Sequence, residues 1–349
     1  MNGEGHPAMR IAIVTDAWVP QVNGVVRTLQ SVTRQLAQWG HELLIVSPDQ
    51  FYSLPCPTYP EIRLALTTTG MVGSKLAAFD ADAIHLSTEG PLCVAARRWC
   101  LRQGLSFTTA FHTQFPDYVA RRTGLSADWF WPFIRRFHAP AAHVMVSTDS
   151  IARQLAEQGI GPTAHWGRGV DLANFGPNQP RPADYDGLAG PILLYVGRIA
   201  VEKNVEAFLA ADVPGSKVIV GDGPQRMELQ ARFPDAHFLG PRVGADLAAA
   251  YAHADAFVFP SRTDTFGLVM IEALASGTPV AAYPVTGPVD IVTEEVGALR
   301  DDLGQAIAAA LTRDRAGCAA YGAGFTWERS AEQFLDALVP VRQRPELAA

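Results

Sequence analysis

Residues 256–277 read AFVFPSRTDTFGLVMIEALASG, from Ala256 to Gly277. The stretch opens with an unbroken apolar run, Ala256 to Phe259, the pattern of a strand buried on both faces of a parallel sheet. Pro260 and Ser261 stop it, and a polar turn, Arg262 to Thr265, follows. Leu268, Ile271 and Ala275 then recur at helical spacing, which predicts a helix over Gly267 to Ala275 with Thr265 as its N-cap. The first helical amides, those of Phe266, Gly267 and Leu268, have no intrahelical partners. Backed by the positive end of the helix dipole, they suit a phosphate. Gly267 lets that backbone be approached closely. Two carboxylates flank the unit, Asp264 in the turn and Glu272 in the helix. Eight helical residues rise about 12 Å, so the pair suits opposite ends of one elongated ligand rather than a single atom. The plainer alternative is a capping Asp and a solvated helix Glu.

The neighbouring segments extend this pattern. Ile192 to Val196 reads as a strand ending at Gly197-Arg198, with Lys203 five residues beyond Arg198. Two cations just past a strand's carboxyl end would face a diphosphate, Arg as a fork and Lys as a point charge, unless they are solvated surface charges. Lys217 to Val220 ends in Gly221-Asp222-Gly223-Pro224, which is not GxGxxG, so a dinucleotide dehydrogenase lacks its fingerprint. A strand at Phe238 to Leu239 leads to Gly240-Pro241-Arg242-Val243, and Ala245 to Ala254 reads as a helix. Pro279 to Ala282 is a further strand, followed by the turn Thr286-Gly287-Pro288. Little chain lies between Lys203 and Lys217, so a helix there should be short.

The first half alternates strand and helix in the same way. Expected strands are Ile11 to Val14, Leu43 to Val46, Ile62 to Leu66, Ala83 to Leu86, Phe107 to Ala110 and Val144 to Val146. Val25, Leu29, Val32 and Leu36 mark one face of a helix stopped by Gly40. Such alternation calls for a parallel sheet wrapped on both faces, with ligands at the carboxyl ends of its strands. Three features lie at those ends: Asp16 after the first strand, Asn23-Gly24 before the first helix, and His112 in TTAFHTQFPDY. Asn23-Gly24 could contact phosphate or sugar, or be plain turn chemistry. His112 could be a working residue or a structural one. Asp128 to His138, DWFWPFIRRFH, gathers five aromatics around Arg135 and Arg136, with Arg121 and Arg122 just before. Trp129, Trp131 and these arginines would suit a membrane interface or amphiphilic acceptor. The other reading is a buried helix seam with snorkelling arginines.

At 349 residues the chain is long enough for about two domains. Its 48% hydrophobic and 18% charged content suits a large core, and a net charge of −7 argues against nucleic acid. The four cysteines make no CxxC or Cys/His spacing, which fits a reducing, cytosolic setting. No apolar run approaches a membrane span of ~20 residues, and the polar start, MNGEGHPAM, has no signal-peptide character. The Gly/Pro/Asp-rich stretch from Gly169 to Gly190 reads as the interdomain linker. The expected division is 9–170, 171–326, and a tail, 327–349, whose amphipathic helix crosses back to the first domain.

Taken together, these motifs resemble the retaining glycosyltransferases of family 4 (group 1), the GT-B class. The acidic-x7-acidic spacing of Asp264 and Glu272, VGRIAVEKN with Arg198 and Lys203, GDGP, and the GVD…F.P segment with Asp171, Phe175 and Pro177 carry the resemblance. It covers the chain from Arg10 to about Leu338. It implies two Rossmann-like, doubly wound α/β domains facing across a cleft, the first for acceptor and the second for donor. Donor contacts would be Asn23, Gly24, Arg198, Lys203, Gly223, Val243, Asp264, Phe266, Gly267, Leu268 and Glu272. Arg198 and Lys203 would stabilise the leaving diphosphate, Asp264 (where Glu is commoner) would hold the sugar, and His112 would assist beside it. The resemblance implies no metal and no cofactor. It also implies a nucleotide-sugar donor, GDP-mannose first and UDP-glucose or UDP-glucuronate next, with a lipid or glycan hydroxyl as acceptor. EGPL at Glu89 to Leu92 looks most like lipid-acceptor enzymes, which adds Asp16, Arg121, Arg122, Trp129, Trp131, Arg135 and Arg136 as acceptor or membrane contacts. The resulting expectation is a cytoplasmic protein, peripheral at the inner membrane face. A sugar-nucleotide epimerase or other non-transferase of the same fold is the alternative.

Overall fold

The computed structural model describes residues 7–21, 23–56, 59–112 and 126–341. The chain divides into two compact units: 1–167 with 327–349, and 168–326. Each is built on one six-stranded, all-parallel sheet.

In the first unit the strands are β1 (Arg10–Val14), β2 (Glu42–Val46), β5 (Ala83–Leu86), β6 (Thr108–Ala110), β7 (Val144–Val146) and β8 (Thr163–His165), in spatial order β2-β1-β5-β6-β7-β8. Alternate residues of β1 serve opposite faces, as the strand period of two requires. Ile11 and Ile13 pack with Leu29, Val32 and Leu36 of the Gly24–Gln38 helix and with Phe334 and Leu335 of the Trp327–Ala337 helix. Ala12 and Val14 join the other layer, which includes Leu92, Ile134 and Ile151. The last helix is thus part of the first unit's core, and Gln333 Oε1 and Ser330 Oγ bind the backbone of Gly167, each at 2.8 Å. The expected strand at 62–66 departs from the parallel scheme. β4 (Tyr59–Ala65) pairs antiparallel with β3 (Ser53–Cys56) as a separate two-stranded ribbon.

In the second unit β9 (Ile192–Val196), β10 (Ser216–Val220), β11 (His237–Gly240), β12 (Ala256–Phe259), β13 (Val280–Ala282) and β14 (Gly297–Leu299) lie in the order β11-β10-β9-β12-β13-β14. Ile192, Leu194 and Val196 face one core layer, and Leu193 and Tyr195 the other. The helix after Lys203 is short, Val205–Ala210. The stretch expected to be a linker is not one. The division falls at Gly167/Arg168, and Val170, Phe175 and Tyr185 are buried in the second unit. The Tyr185 hydroxyl donates to Ala250 O at 2.9 Å, and Phe175 meets Tyr251 edge to face. Apolar anchors spaced through a Gly/Pro-rich segment, each adding roughly 1.5–3 kcal/mol on burial, dock it without giving it regular structure.

Both sheets reverse direction of growth at one point. The chain steps from β1 to β2 on one side, then continues from β5 outward on the other; in the second unit the reversal lies between β9 and β12. Open α/β sheets bind ligands beyond the carboxyl ends of the strands at such a switch point.

Candidate active site

At the second unit's switch point two loops meet, 197–204 after β9 and 260–267 after β12. Lys203 Nζ lies 2.5 Å from Asp264 Oδ1, with both side chains mostly buried but still reached by solvent. Asn204, at φ +54°, donates from Nδ2 to Pro260 O at 3.1 Å, tying the loops a second time. Glycines set the geometry around the pair. A Cβ on Gly221 (φ +134°) would stand 1.9 Å from Gly197 O, and one on Gly223 2.3 Å from Ile199 O. The GDGP turn is therefore pressed onto the Gly197–Ile199 backbone, and Ile199 N donates to Asp222 O at 2.9 Å. Tyr195 Oη donates to Arg198 O at 2.7 Å, fixing the peptide that carries Arg198. From the other side, Gly287 (φ +93°) backs against Asp264 O and Phe266 O. A loop held by so many backbone contacts is preorganised.

Among the described residues, Asp264 Oδ2 and Thr263 Oγ1 are buried polar atoms without a hydrogen-bond partner. The carboxylate is thus fixed by one oxygen and has its second free to accept.

The helix after the loop is Leu268–Ala275, and its N-cap is Gly267 at φ +91°, with no side-chain cap bond. Thr265 is therefore not the cap. A left-handed residue makes the turn into the helix, and a side chain there would strike Met270 and Phe259. Phe266 is buried edge-to-face against Phe325, and the Leu268 amide is the first inside the helix. Glu272 is not a solvated helix glutamate. It is 2% exposed, and Tyr251 Oη donates to its Oε2 at 3.1 Å. Tyr251 lies in the Gly244–Ala252 helix, for which the exposed Val243 is the N-cap. The structure thus gathers Arg198, Lys203, Gly223, Asp264, Phe266, Gly267 and Leu268 on adjoining loops, with Glu272 buried one helix further on. Tyr251 and Thr263 were missed; each sits in an apolar run or a polar turn with no motif to single it out. A cavity of about 380 Å³ in this unit is lined by Arg181, Asp184, Arg242 and Asp246 and by none of the residues just named. It is shaped by the Arg242–Asp184 ion pair at 3.0 Å, not by the switch point.

The first unit treats its loops differently. Asp16 is buried, and its carboxylate accepts from Leu92 N (2.8 Å), Thr88 Oγ1 (2.9 Å) and Cys93 N (3.4 Å). It caps the Pro91–Arg102 helix, so the acceptor contact expected of it is replaced by a structural one. Burial raises its pKa above the ordinary carboxylate value despite these donors. Asn23 is likewise an N-cap, its Oδ1 accepting from Val26 N at 3.0 Å, and Gly24 opens the helix. His112 is buried just past β6, edge-to-face with Trp166 at 5.2 Å.

In the Trp131–His138 helix the aromatic stretch splits. Trp131 is 6% exposed and stacks on Phe111, so it belongs to the core rather than to a contact surface. A spacing of three puts Ile134 and Phe137 inward with it, leaving Arg135, Arg136 and Phe133 outward. Trp129, just before, is 76% exposed. Arg121 and Arg122 lie outside the described residues. Among the described residues no helix is long and apolar enough to cross a membrane, and no group of three or more His, Cys, Asp or Glu could hold a metal ion.

Two doubly wound α/β units, each carrying its loops at a strand-order reversal, are the architecture of the GT-B glycosyltransferases. Sucrose-phosphate synthase from Thermosynechococcus elongatus has this fold at a TM-score of 0.72 and 23% identity, over 94% of this chain and 97% of that one. Residues 190–313 match the family model described as "Glycosyl transferases group 1", and residues 22–174 the one described as "Glycosyltransferase Family 4". A "GDP-mannose-dependent alpha-mannosyltransferase" of Mycobacterium tuberculosis (strain CDC 1551 / Oshkosh) is 33% identical over 309 residues, 82% of either chain. A protein of the same description from Mycolicibacterium smegmatis is 34% identical over 310 residues, covering 81% of this chain and 82% of its own. The chain belongs to glycosyltransferase family 4 and is a glycosyltransferase.

Proposed function

We propose that this transferase moves a hexose, mannose from GDP-mannose first and glucose or glucuronate from UDP next, to a lipid or glycan hydroxyl, with retention and without a metal. The carrying observation is the Lys203–Asp264 pair at the switch point, preorganised by glycine contacts beside the Leu268–Ala275 helix N-terminus. In this reading Arg198, Lys203 and the amides of Phe266 to Leu268 meet the diphosphate, where charge develops as the glycosidic phosphate bond breaks. Asp264 Oδ2 accepts from a donor-sugar hydroxyl, Glu272 serves the ribose end, and Gly223 and Val243 lie along the nucleotide. The acceptor oxygen bonds to the anomeric carbon, the carbon–phosphate-oxygen bond breaks, and the acceptor's proton leaves on the diphosphate. His112 assists beside the reacting sugar. GDP-mannose is favoured because the relatives named above carry it in their descriptions. Exposed Trp129, Phe133, Arg135 and Arg136 support peripheral docking at the cytoplasmic membrane face.

Thermal unfolding with GDP, UDP and ADP tests the donor. A ligand at 100 times its Kd stabilises by about 2.7 kcal/mol. A shift with GDP alone, lost in Arg198→Ala, is the expected result. A shift with UDP alone moves the donor to UDP-sugars, and no shift with any of the three overturns the reading.

A further inference from the structure

Resting on the transferase reading, the acceptor side can be taken further. At the first unit's switch point the loops after β1 and β5 carry two carboxylates, Asp16 and Glu89. Asp16 is consumed in capping. Glu89 sits in the middle of the residues that Asp16 pins. Before it, Thr88 Oγ1 donates to Asp16 Oδ2 and accepts from Asp16 N, each at 2.9 Å. After it, Gly90 lies so close that a Cβ there would stand 2.3 Å from the Asp16 carboxyl carbon. Ser87 N donates to Val14 O at 2.8 Å, closing the loop's root onto β1.

The Glu89 side chain has a support of its own. His138 Nε2 lies 3.3 Å from Glu89 Oε1, and His138 Nδ1 lies 2.8 Å from Thr109 Oγ1 in β6. The imidazole is closed off completely, with Phe111 and Phe137 edge to face, while Glu89 keeps 17% of its side chain exposed. Its Oε2 makes no hydrogen bond among the described residues. A carboxylate fixed by one oxygen on a buried ring, its other oxygen open at a switch point, is equipped to accept from hydroxyls. The second unit's Asp264 is likewise fixed by one oxygen, with Lys203 in place of the histidine, and has its second oxygen without a partner, though buried.

We propose that Glu89 is an acceptor-binding carboxylate that recognises a polyol or sugar headgroup, with His138 as its positioning residue. The carboxylate accepts a hydrogen bond from an acceptor hydroxyl and takes no proton in the transfer.

The test uses the full chain, GDP-mannose as donor, and three probes: octyl mannoside, phosphatidylinositol vesicles and dioleoylglycerol vesicles. Kinetics follow whichever probe is mannosylated fastest. Glu89→Gln, which keeps size, is expected to raise the acceptor KM about tenfold, as loss of one charged hydrogen bond should. The GDP-induced rise in unfolding temperature should persist. His138→Leu should match that KM defect, and His138→Gln, which restores a donor toward Glu89, should recover most of it; loss of packing alone would not be rescued in KM. An unchanged acceptor KM in Glu89→Gln overturns the proposal. So does failure of the unsubstituted chain to mannosylate any probe while GDP still stabilises it, which leaves the donor reading standing. Absence of GDP stabilisation strikes the donor reading instead.

Discussion

Each switch point carries an aspartate at a strand's carboxyl end, Asp16 after β1 on one side of the reversal and Asp264 after β12 on the other side, and the two are used in opposite ways. Asp16 follows β1 and points its carboxylate into the protein, where backbone amides and Thr88 consume both oxygens. Asp264 follows β12 and is held by a single lysine contact, with one oxygen left over. Topology brings a carboxylate to the crevice; the local partners decide whether it serves stability or ligand. Pinning Asp16 fixes the loop on which Glu89 stands, so the first unit's consumed carboxylate positions its available one.

The sharpest way to break this comparison is to remove each aspartate. Asp264→Ala should lower kcat/KM by about 10²–10³, as expected on losing one preorganised polar contact at the reacting centre, with little change in unfolding temperature. Lys203→Ala should behave alike. Asp16→Ala should do the reverse, costing roughly 2–4 kcal/mol of first-unit stability by orphaning buried amides and a helix cap. Denaturant melts and steady-state rates on both variants decide the matter; equal loss of activity and stability in the two would erase the distinction. Next in size, Gly221→Ala should destabilise by about 3 kcal/mol, because a left-handed residue would drive a methyl into Gly197 O. A melt unchanged from the parent would show that the loops after β9 and β10 are looser than their contacts indicate.

The first unit also carries an acid liability that sharpens the contrast. His85 is fully buried in β5 between Trp166 and Phe334, and burial brings its pKa from 6.5 down to about 3. The unfolded chain takes up that proton below pH 6.5 while the folded one stays neutral. The unfolded state therefore binds more protons across that window, and stability falls as pH falls. The slope should approach about 1.4 kcal/mol per pH unit below pH 6. Unfolding of the parent and of His85→Gln at pH 7 and pH 5 measures it; parallel losses in both would assign the sensitivity elsewhere. The smallest expected effect is at the surface. Trp129→Ala should weaken binding to anionic vesicles by a factor of about three to ten, the share of one exposed aromatic. Unaltered binding, or none by the parent, would remove the membrane contact.

Much of this was legible in the sequence because apolar runs and helical spacing are local signals. Ala83–Leu86, Val144–Val146, Ile192–Val196 and Ala256–Phe259 are strands over the expected spans. Ile62–Leu66 also read as a strand, but nothing local says whether a strand pairs parallel or antiparallel. β8 and β14 are three-residue strands whose composition carries no periodicity. At the sites, residue type and position were readable, whereas partnership was not. The sequence offers Asp16, Asn23 and Trp131 as contacts; capping bonds and a ring stacked on Phe111 take Asp16 and Trp131 inward, while Asn23 caps its helix and stays exposed. Tyr251 holding Glu272 and His138 holding Glu89 join residues 21 and 49 positions apart, beyond any spacing rule.

The Trp327–Ala337 helix, packed on Ile11, Ile13 and Trp166, has a consequence for biosynthesis. Emerging from the ribosome, residues 1–167 cover one face of their sheet only in part, with the Gly24–Gln38 helix, until the Trp327–Ala337 helix has been made. The second unit is contiguous and closes within its own span, so it can finish first. The usual order, in which the amino-terminal domain folds ahead of the next, does not apply simply here: the first unit's core can be completed only after the whole second unit has been synthesised.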